Sequence, residues 1–256
     1  MLLKLERRAA VERIAVRIEK NIALLLSRGA LTGQGCEVDE VVLLTEIARG
    51  IFVDQYAELY VEAHGKVCYN AEGKIVDIGE IGVAYSRMNG RITAVGGNYI
   101  VYNALSGVPE SIGGVNIEHS ALTGRISAIG DKRVDYYTFV KRNSIFDDGE
   151  DDAQNPYEAA RKSLDGKVRC LGDTEIVYSP RTAAMTGIGD ITVDVSPRDG
   201  KIIRIGRCEI EYSARDGRIT AIGGDMLAYS VSGRLMSLGT ESIEYSAADG
   251  KVIGIW

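Results

Sequence analysis

From about residue 65 to residue 256 the chain repeats a 17-residue unit. A short unit repeated this often restricts the fold to architectures in which each copy packs on the next. The seed is Gly-Arg-Ile-x-x-Ile-Gly. It or a variant starts at Gly73, Gly90, Gly107, Gly124, Gly166, Ala183, Gly200, Gly217, Gly233 and Gly250, with one step of 16 residues inside the second block. Counted from its first residue, the unit typically has Lys or Arg at position 2. Aliphatic residues typically hold positions 3, 6 and 11, glycine usually holds position 7, and tyrosine usually holds position 13.

Both turns of the unit carry hairpin chemistry. Gly-Asp, Gly-Gly or Gly-Arg at positions 7–8 suits a type II′ turn, which needs glycine first. Arg-Asp-Gly or Met-Asn-Gly across positions 16, 17 and 1 suits a type I turn with a glycine bulge. The first turn predicts pairing of position 6 with 9 and 4 with 11. The second predicts 13 with 4 and 11 with 6 of the next unit. Partners across strands share a face, so positions 2, 4, 6, 9, 11, 13 and 15 fall on one side and 3, 5, 10, 12 and 14 on the other.

These registers predict a mainly β fold: a long antiparallel meander, either curled or split into two packed blocks of about eight and eleven strands. Sheets of that width twist, curl or close. The expected organisation is an N-terminal helical segment over 1–50, a first repeat block over 51–136, an insertion over 137–165 and a second block over 166–256. In the insertion, FDDGEDD reads as an exposed acidic loop. NPYEAARKSL reads as a short helix with Asn155 as N-cap, Pro156 at its first position and Glu158 as the capping partner.

Residues 2–28 read as an amphipathic helix, with Val11, Ile14, Ile18, Ile22 and Leu25 at steps of three and four and Arg13, Arg17 and Lys20 on another face. A second helix is expected from Asp39 to Arg49. Val11, Ile14, Ile18, Leu25, Arg13 and Arg17 are thus candidates for a partner-docking helix. The first 30 residues hold seven basic and three acidic side chains, a charge of +4 within a chain of −6. A membrane surface is conceivable only through residues 1–28.

The acidic total argues against a general nucleic-acid binder. Cys36, Cys68, Cys170 and Cys208 form no CxxC pair, and His64 and His119 stand far from useful ligand spacing. No metal, cofactor or disulfide framework is expected. No apolar run reaches the ~18 residues of a membrane-spanning helix. The dispersed thiols and the absence of a secretory layout point to the cytoplasm.

Two rows remain as candidate binding residues. Tyr85, Tyr102, Tyr136, Tyr178, Tyr212, Tyr229 and Tyr245 share position 13. Lys74, Arg91, Arg125, Lys167, Lys201, Arg218, Arg234 and Lys251 share position 2. Functionally, tyrosines could stack sugars and the basic row could comb an acidic partner. Structurally, tyrosine is a good strand residue with a polar tip, and cation–π pairing along the sheet accounts for both rows. His119 fills a tyrosine slot and reads as a tolerated substitution. The glycine strings lack the strand-turn-helix context of a phosphate loop.

At EYSARDGRITAIG the unit resembles the YD repeats of RHS- and teneurin-type proteins, which share a tyrosine, a short turn, Gly-Arg and an aliphatic residue. The resemblance covers most of 65–256 and implies a long meandering sheet that can spiral into a shell. This chain has Tyr-Ser where that family has Tyr-Asp, and a shorter, more regular spacing. Only architecture is carried over.

The functional expectation is a non-enzymatic scaffold that binds another protein, or its own copies, within a larger assembly. One alternative is a carbohydrate- or small-ligand-binding module on the Tyr/Arg face. Another is an enzyme whose residues lie outside the repeat.

Overall fold

A computed structural model describes residues 2–4, 11–19, 22–28, 38–62, 64–139 and 156–256. The expected FDDGEDD loop and Asn155 lie outside these.

The N-terminal region is strands, not helices. β1 (Leu2–Lys4), β2 (Val11–Glu19), β3 (Ile22–Arg28), β4 (Val38–Ala48), β5 (Ile51–Asp54) and β6 (Leu59–Glu62) pair in sequence order, and β6 returns to β1 to close a small barrel. Val11, Arg13, Ile14, Arg17 and Ile18 therefore lie on β2 and Leu25 on β3, so no docking helix forms. The steps of three and four were real but ambiguous. Ile14, Val16 and Ile18 also alternate with Arg13, Ala15 and Arg17, and β-branched residues favour strands. The second expected helix supplies most of β4, whose Val41–Thr45 run pairs with Ile22–Leu26.

The repeat forms β7 (Gly65–Tyr69), β8 (Ile75–Ile78), β9 (Ile81–Tyr85), β10 (Ile92–Val95), β11 (Asn98–Tyr102), β12 (Pro109–Ile112), β13 (Val115–His119), β14 (Ile126–Ile129) and β15 (Lys132–Tyr136). Helix α1 (Pro156–Leu164) follows, with Pro156 as its first residue. The repeat then continues through β16 (Val168–Leu171), β17 (Thr174–Tyr178), β18 (Met185–Ile188), β19 (Ile191–Val195), β20 (Ile202–Ile205), β21 (Cys208–Tyr212), β22 (Ile219–Ile222), β23 (Asp225–Tyr229), β24 (Leu235–Leu238), β25 (Glu241–Tyr245) and β26 (Val252–Ile255). The 20 strands follow one another, and β26 pairs with β7, so the strand order is that of a closed barrel. A curled sheet or two packed blocks is thereby corrected. Two compact units divide the chain, 131–208 (β15–β20) and the remainder.

The insertion leaves the ladder intact. Elsewhere the position-14 amide donates to the position-2 carbonyl, as Ser86 does to Arg91, and the position-1 amide donates back, as Gly90 does to Ser86. Tyr137 and Lys167, and Gly166 and Tyr137, make the same two bonds at 2.9 Å. In the sequence, residues 138–165 thus fall between positions 14 and 1 of one turn.

Position 3 lies on the core face, contrary to the expected alternation. Val101 faces Ser111 and Tyr102 faces Pro109, leaving Glu110 as the extra residue of a β-bulge. The same shift recurs between Glu118 and His119 and between Glu211 and Tyr212. Position 13 therefore pairs with 3, not 4. The bulge turns positions 3 and 6 to the same side, and Ile75 with Ile78, Ile126 with Ile129 and Ile202 with Ile205 are all buried. Position 11 joins them through Val67, Ile117, Ile176, Ile210 and Ile243. Positions 10 and 12 are mostly exposed.

Candidate functional site

The turns set the spacing of everything that could act. Gly at position 7 has positive φ in every copy from Gly79 to Gly239. Where position 8 is also glycine, as at Gly97 and Gly114, it too has positive φ, as a type I′ turn requires. At the other end of the unit, position 14 is Ser or Asn in every copy but that of Tyr137, and the Ser or Asn side chain ties down the loop. Asn103 Oδ1 accepts from the amides of Leu105 and Ser106 at 2.9 and 2.8 Å, and Ser86 Oγ accepts from the Met88 amide at 3.2 Å. The Ser246 hydroxyl, helped by Lys251, holds the Asp249 carboxyl below its ordinary range. The sequence reading missed this Ser/Asn row, although its constancy beside the tyrosine was visible.

The tyrosines and cations serve each other. Lys74 lies over Tyr85, Arg91 over Tyr102, Lys167 over Tyr178, Arg218 over Tyr229 and Arg234 over Tyr245, at 5.3 to 5.5 Å from the ring centres. The hydroxyls reach inward. Tyr102 donates to the Ile92 carbonyl, Tyr178 to Val168, Tyr229 to Ile219 and Tyr245 to Leu235, at 2.6 to 3.1 Å. Each of these acceptors is a position-3 residue, beside the bulge. His119 takes the same place, with Nε2 at 2.9 Å from the Pro109 carbonyl. The cation then continues to the next unit's first residue. Lys74 Nζ would stand 2.9 Å from a Cβ on Gly90, and Lys167 Nζ donates to the Ala183 carbonyl at 3.0 Å. Tyr136 and Tyr212 are half-buried in the same row, and Arg125 is exposed.

Acidic side chains of position 12 pair across the outer face. Arg204 bonds Asp194, and Arg169 reaches Asp135 at 3.5 Å. Such exposed pairs contribute at most ~1 kcal/mol. Among the described residues no group of three or more His, Cys, Asp or Glu is placed to hold a metal, and Cys68 and Cys170 are in no disulfide.

One buried carboxylate stands apart from the repeat. Asp54 closes the turn between β5 and β6. Its Oδ1 accepts from the amides of Tyr56 and Glu58 at 2.8 and 2.9 Å, and Oδ2 accepts from the Tyr60 hydroxyl at 2.8 Å. Burial outweighs these bonds and raises its pKa to about 6.

The repeat's departures carry the exposed apolar groups. Position 16 is Met88, Leu105 and Leu122 in three consecutive units, and these side chains are 97, 98 and 98 % exposed. They stand at the tips of the β9–β10, β11–β12 and β13–β14 loops, and Arg87 and Arg125 are exposed beside them.

No protein-family model matches the chain, and comparison with curated proteins finds no match.

Proposed function

We propose that the chain is a non-enzymatic, cytoplasmic scaffold that docks another protein along the Met88–Leu105–Leu122 loop tips. The exposed apolar row carries this reading. Side chains of that size gain about 1.5–3 kcal/mol each on burial, and adjacent exposed ones mark interaction surfaces. Their loops are held by the position-14 side chains, so little order need be acquired on binding.

Like positions two strands apart recur at ~9.6 Å. An amphipathic helix offers one apolar residue every ~10.5 Å at a step of seven, and such helices commonly dock in apolar grooves. The favoured partner is therefore an amphipathic helix with acidic flanks to suit Arg87 and Arg125. A sugar-binding role for the Tyr/Arg face gains less support, because the tyrosine hydroxyls described above are engaged by backbone carbonyls.

The test is quantitative affinity purification of the full chain beside a Met88→Ser, Leu105→Ser, Leu122→Ser variant and an Arg198→Ala, Arg215→Ala control. Loss of one same partner from the triple variant alone supports the reading. Equal recovery from all three, or no partner, overturns it.

A further inference from the structure

The outer face at the β24–β26 end holds an open groove of about 870 Å³, where the repeat is broken at position 7. Position 7 is glycine in the nine other units, where the chain must turn. Between β26 and β7 the strands meet by pairing without a turn, so position 7 can carry a side chain, and it is Trp256. The tryptophan backbone keeps the register that glycine keeps elsewhere. Its amide donates to the Ser242 carbonyl at 2.9 Å, and its carbonyl accepts from the Ser242 amide at 2.7 Å.

Gly254 stands beside Trp256 at position 5, a slot of mostly small residues that is also glycine at Gly187. Its φ is ordinary, so no turn requires glycine there. The indole does: a Cβ on Gly254 would come within 2.6 to 3.0 Å of Nε1, Cε2 and Cζ2 of Trp256. The indole is thus laid back along its own strand, with Nε1 directed to Glu244 Oε2 at 3.4 Å. It remains 51 % exposed and lines the groove with Glu244, Ser242, Arg234 and Met236. An aromatic surface held against the backbone, with a carboxylate, a guanidinium and a hydroxyl around it, matches one chemistry well. A pyranose stacks its C–H face on an indole while its hydroxyls both donate to carboxylate and accept from guanidinium.

We infer that this groove binds a neutral pyranose oligosaccharide, with Trp256 as stacking platform and Glu244 and Arg234 as hydroxyl partners. The site is independent of the loop-tip surface. Opposite charges at Glu244 and Arg234 favour a neutral sugar over a strongly anionic one.

Trp256 is the only tryptophan in the chain, so its fluorescence reports the platform directly. The probes are cellohexaose, chitohexaose and maltohexaose, with tetramethylammonium as a cationic competitor for the same indole. A saturable spectral change with at least one sugar is expected. Calorimetry should show that binding lost in Trp256→Ala and weakened about tenfold or more in Glu244→Ala, a change of 1.4 kcal/mol. Both variants should keep wild-type circular dichroism, since both side chains are exposed. No saturable change with any of the three sugars to their solubility limits overturns the inference. So does a response to tetramethylammonium alone, or sugar binding that survives in both variants.

Discussion

The Tyr69 hydroxyl donates to the Val252 carbonyl at 2.8 Å, across 183 residues of chain. The bond is the one Tyr229 makes to Ile219 within a single unit. Lys251 lies over the Tyr69 ring at 5.1 Å, as Arg218 lies over Tyr229 at 5.5 Å. The unit built from β26 and β7 is therefore equivalent to the others although its halves come from distant parts of the chain. Burial, and then the charge of Asp249, raises the Tyr69 pKa to about 12, as expected for a hydroxyl engaged inside the sheet. Tyr69→Phe and Tyr229→Phe should each cost about 1 kcal/mol, one hydrogen bond with the aromatic stack retained. Urea unfolding of the two variants should give matching losses. A much smaller loss at Tyr69 would mean the closing unit is looser than the rest.

The cation of one unit reserves space beside the first glycine of the next. A Cβ on Gly107 would run into the Arg91 guanidinium, whereas Gly200 has open space, and both have positive φ. Alanine at either site carries the left-handed penalty of about 1–2 kcal/mol. Gly107→Ala should cost about 0.5–1 kcal/mol more, by displacing Arg91 from Tyr102. In an Arg91→Ala background that excess should vanish, which a double-mutant cycle by thermal unfolding would read.

Asp54 gives the small barrel a pH dependence of definite sign. Its folded pKa, about 6, lies above the ordinary aspartate value of 3.8. The native state therefore holds the proton more tightly than the unfolded chain. This contribution is complete below pH ~4 and is lost as pH rises through about 6, amounting to at most ~3 kcal/mol. Asp54→Asn keeps an oxygen for the Tyr56 and Glu58 amides and should flatten that slope. The check is wild-type and variant urea unfolding at pH 4, 5, 6 and 7, with identical slopes counting against this assignment.

How far the sequence revealed this arrangement depended on whether local chemistry was decisive. The turns were legible because glycine at positions 1 and 7 answers a steric demand. The pairing of Arg91 with Tyr102 and Arg218 with Tyr229 followed from register alone. The bulge was not legible: residues such as Glu110 and Ser127 have no common side chain at position 4, and the extra residue is specified by the fit of the backbone. The N-terminal strands were misread because Ile14, Ile18 and Leu25 satisfy a helical period while Ile14, Val16 and Ile18 satisfy a strand period. Closure was invisible for a different reason, since nothing in VIGI or GKVCY alone says that Ile255 will lie opposite Gly65. Trp256 showed only as a missing glycine in a last, incomplete copy.

The insertion should be removable. Replacing residues 138–165 by a Ser-Asp pair between Tyr137 and Gly166 leaves both bracketing hydrogen bonds possible. Shortening the loop lowers its closure entropy by about 2 kcal/mol, against any packing lost with α1, whose Ala160 is buried. A single cooperative unfolding transition should persist in calorimetry, and its loss would show that α1 is integral to the sheet.

The pairing of β26 with β7 has a consequence for biosynthesis. During synthesis β7 emerges long before β26, so its outer edge carries unpaired amides and carbonyls until some 190 residues have followed. For that interval the nascent sheet has two sticky margins, the kind that recruit foreign strands. Sealing them is a long-range search and is expected to be the slow step of folding. Whatever protects the chain in the cell would act there, on an intermediate that differs from the finished molecule by a single seam.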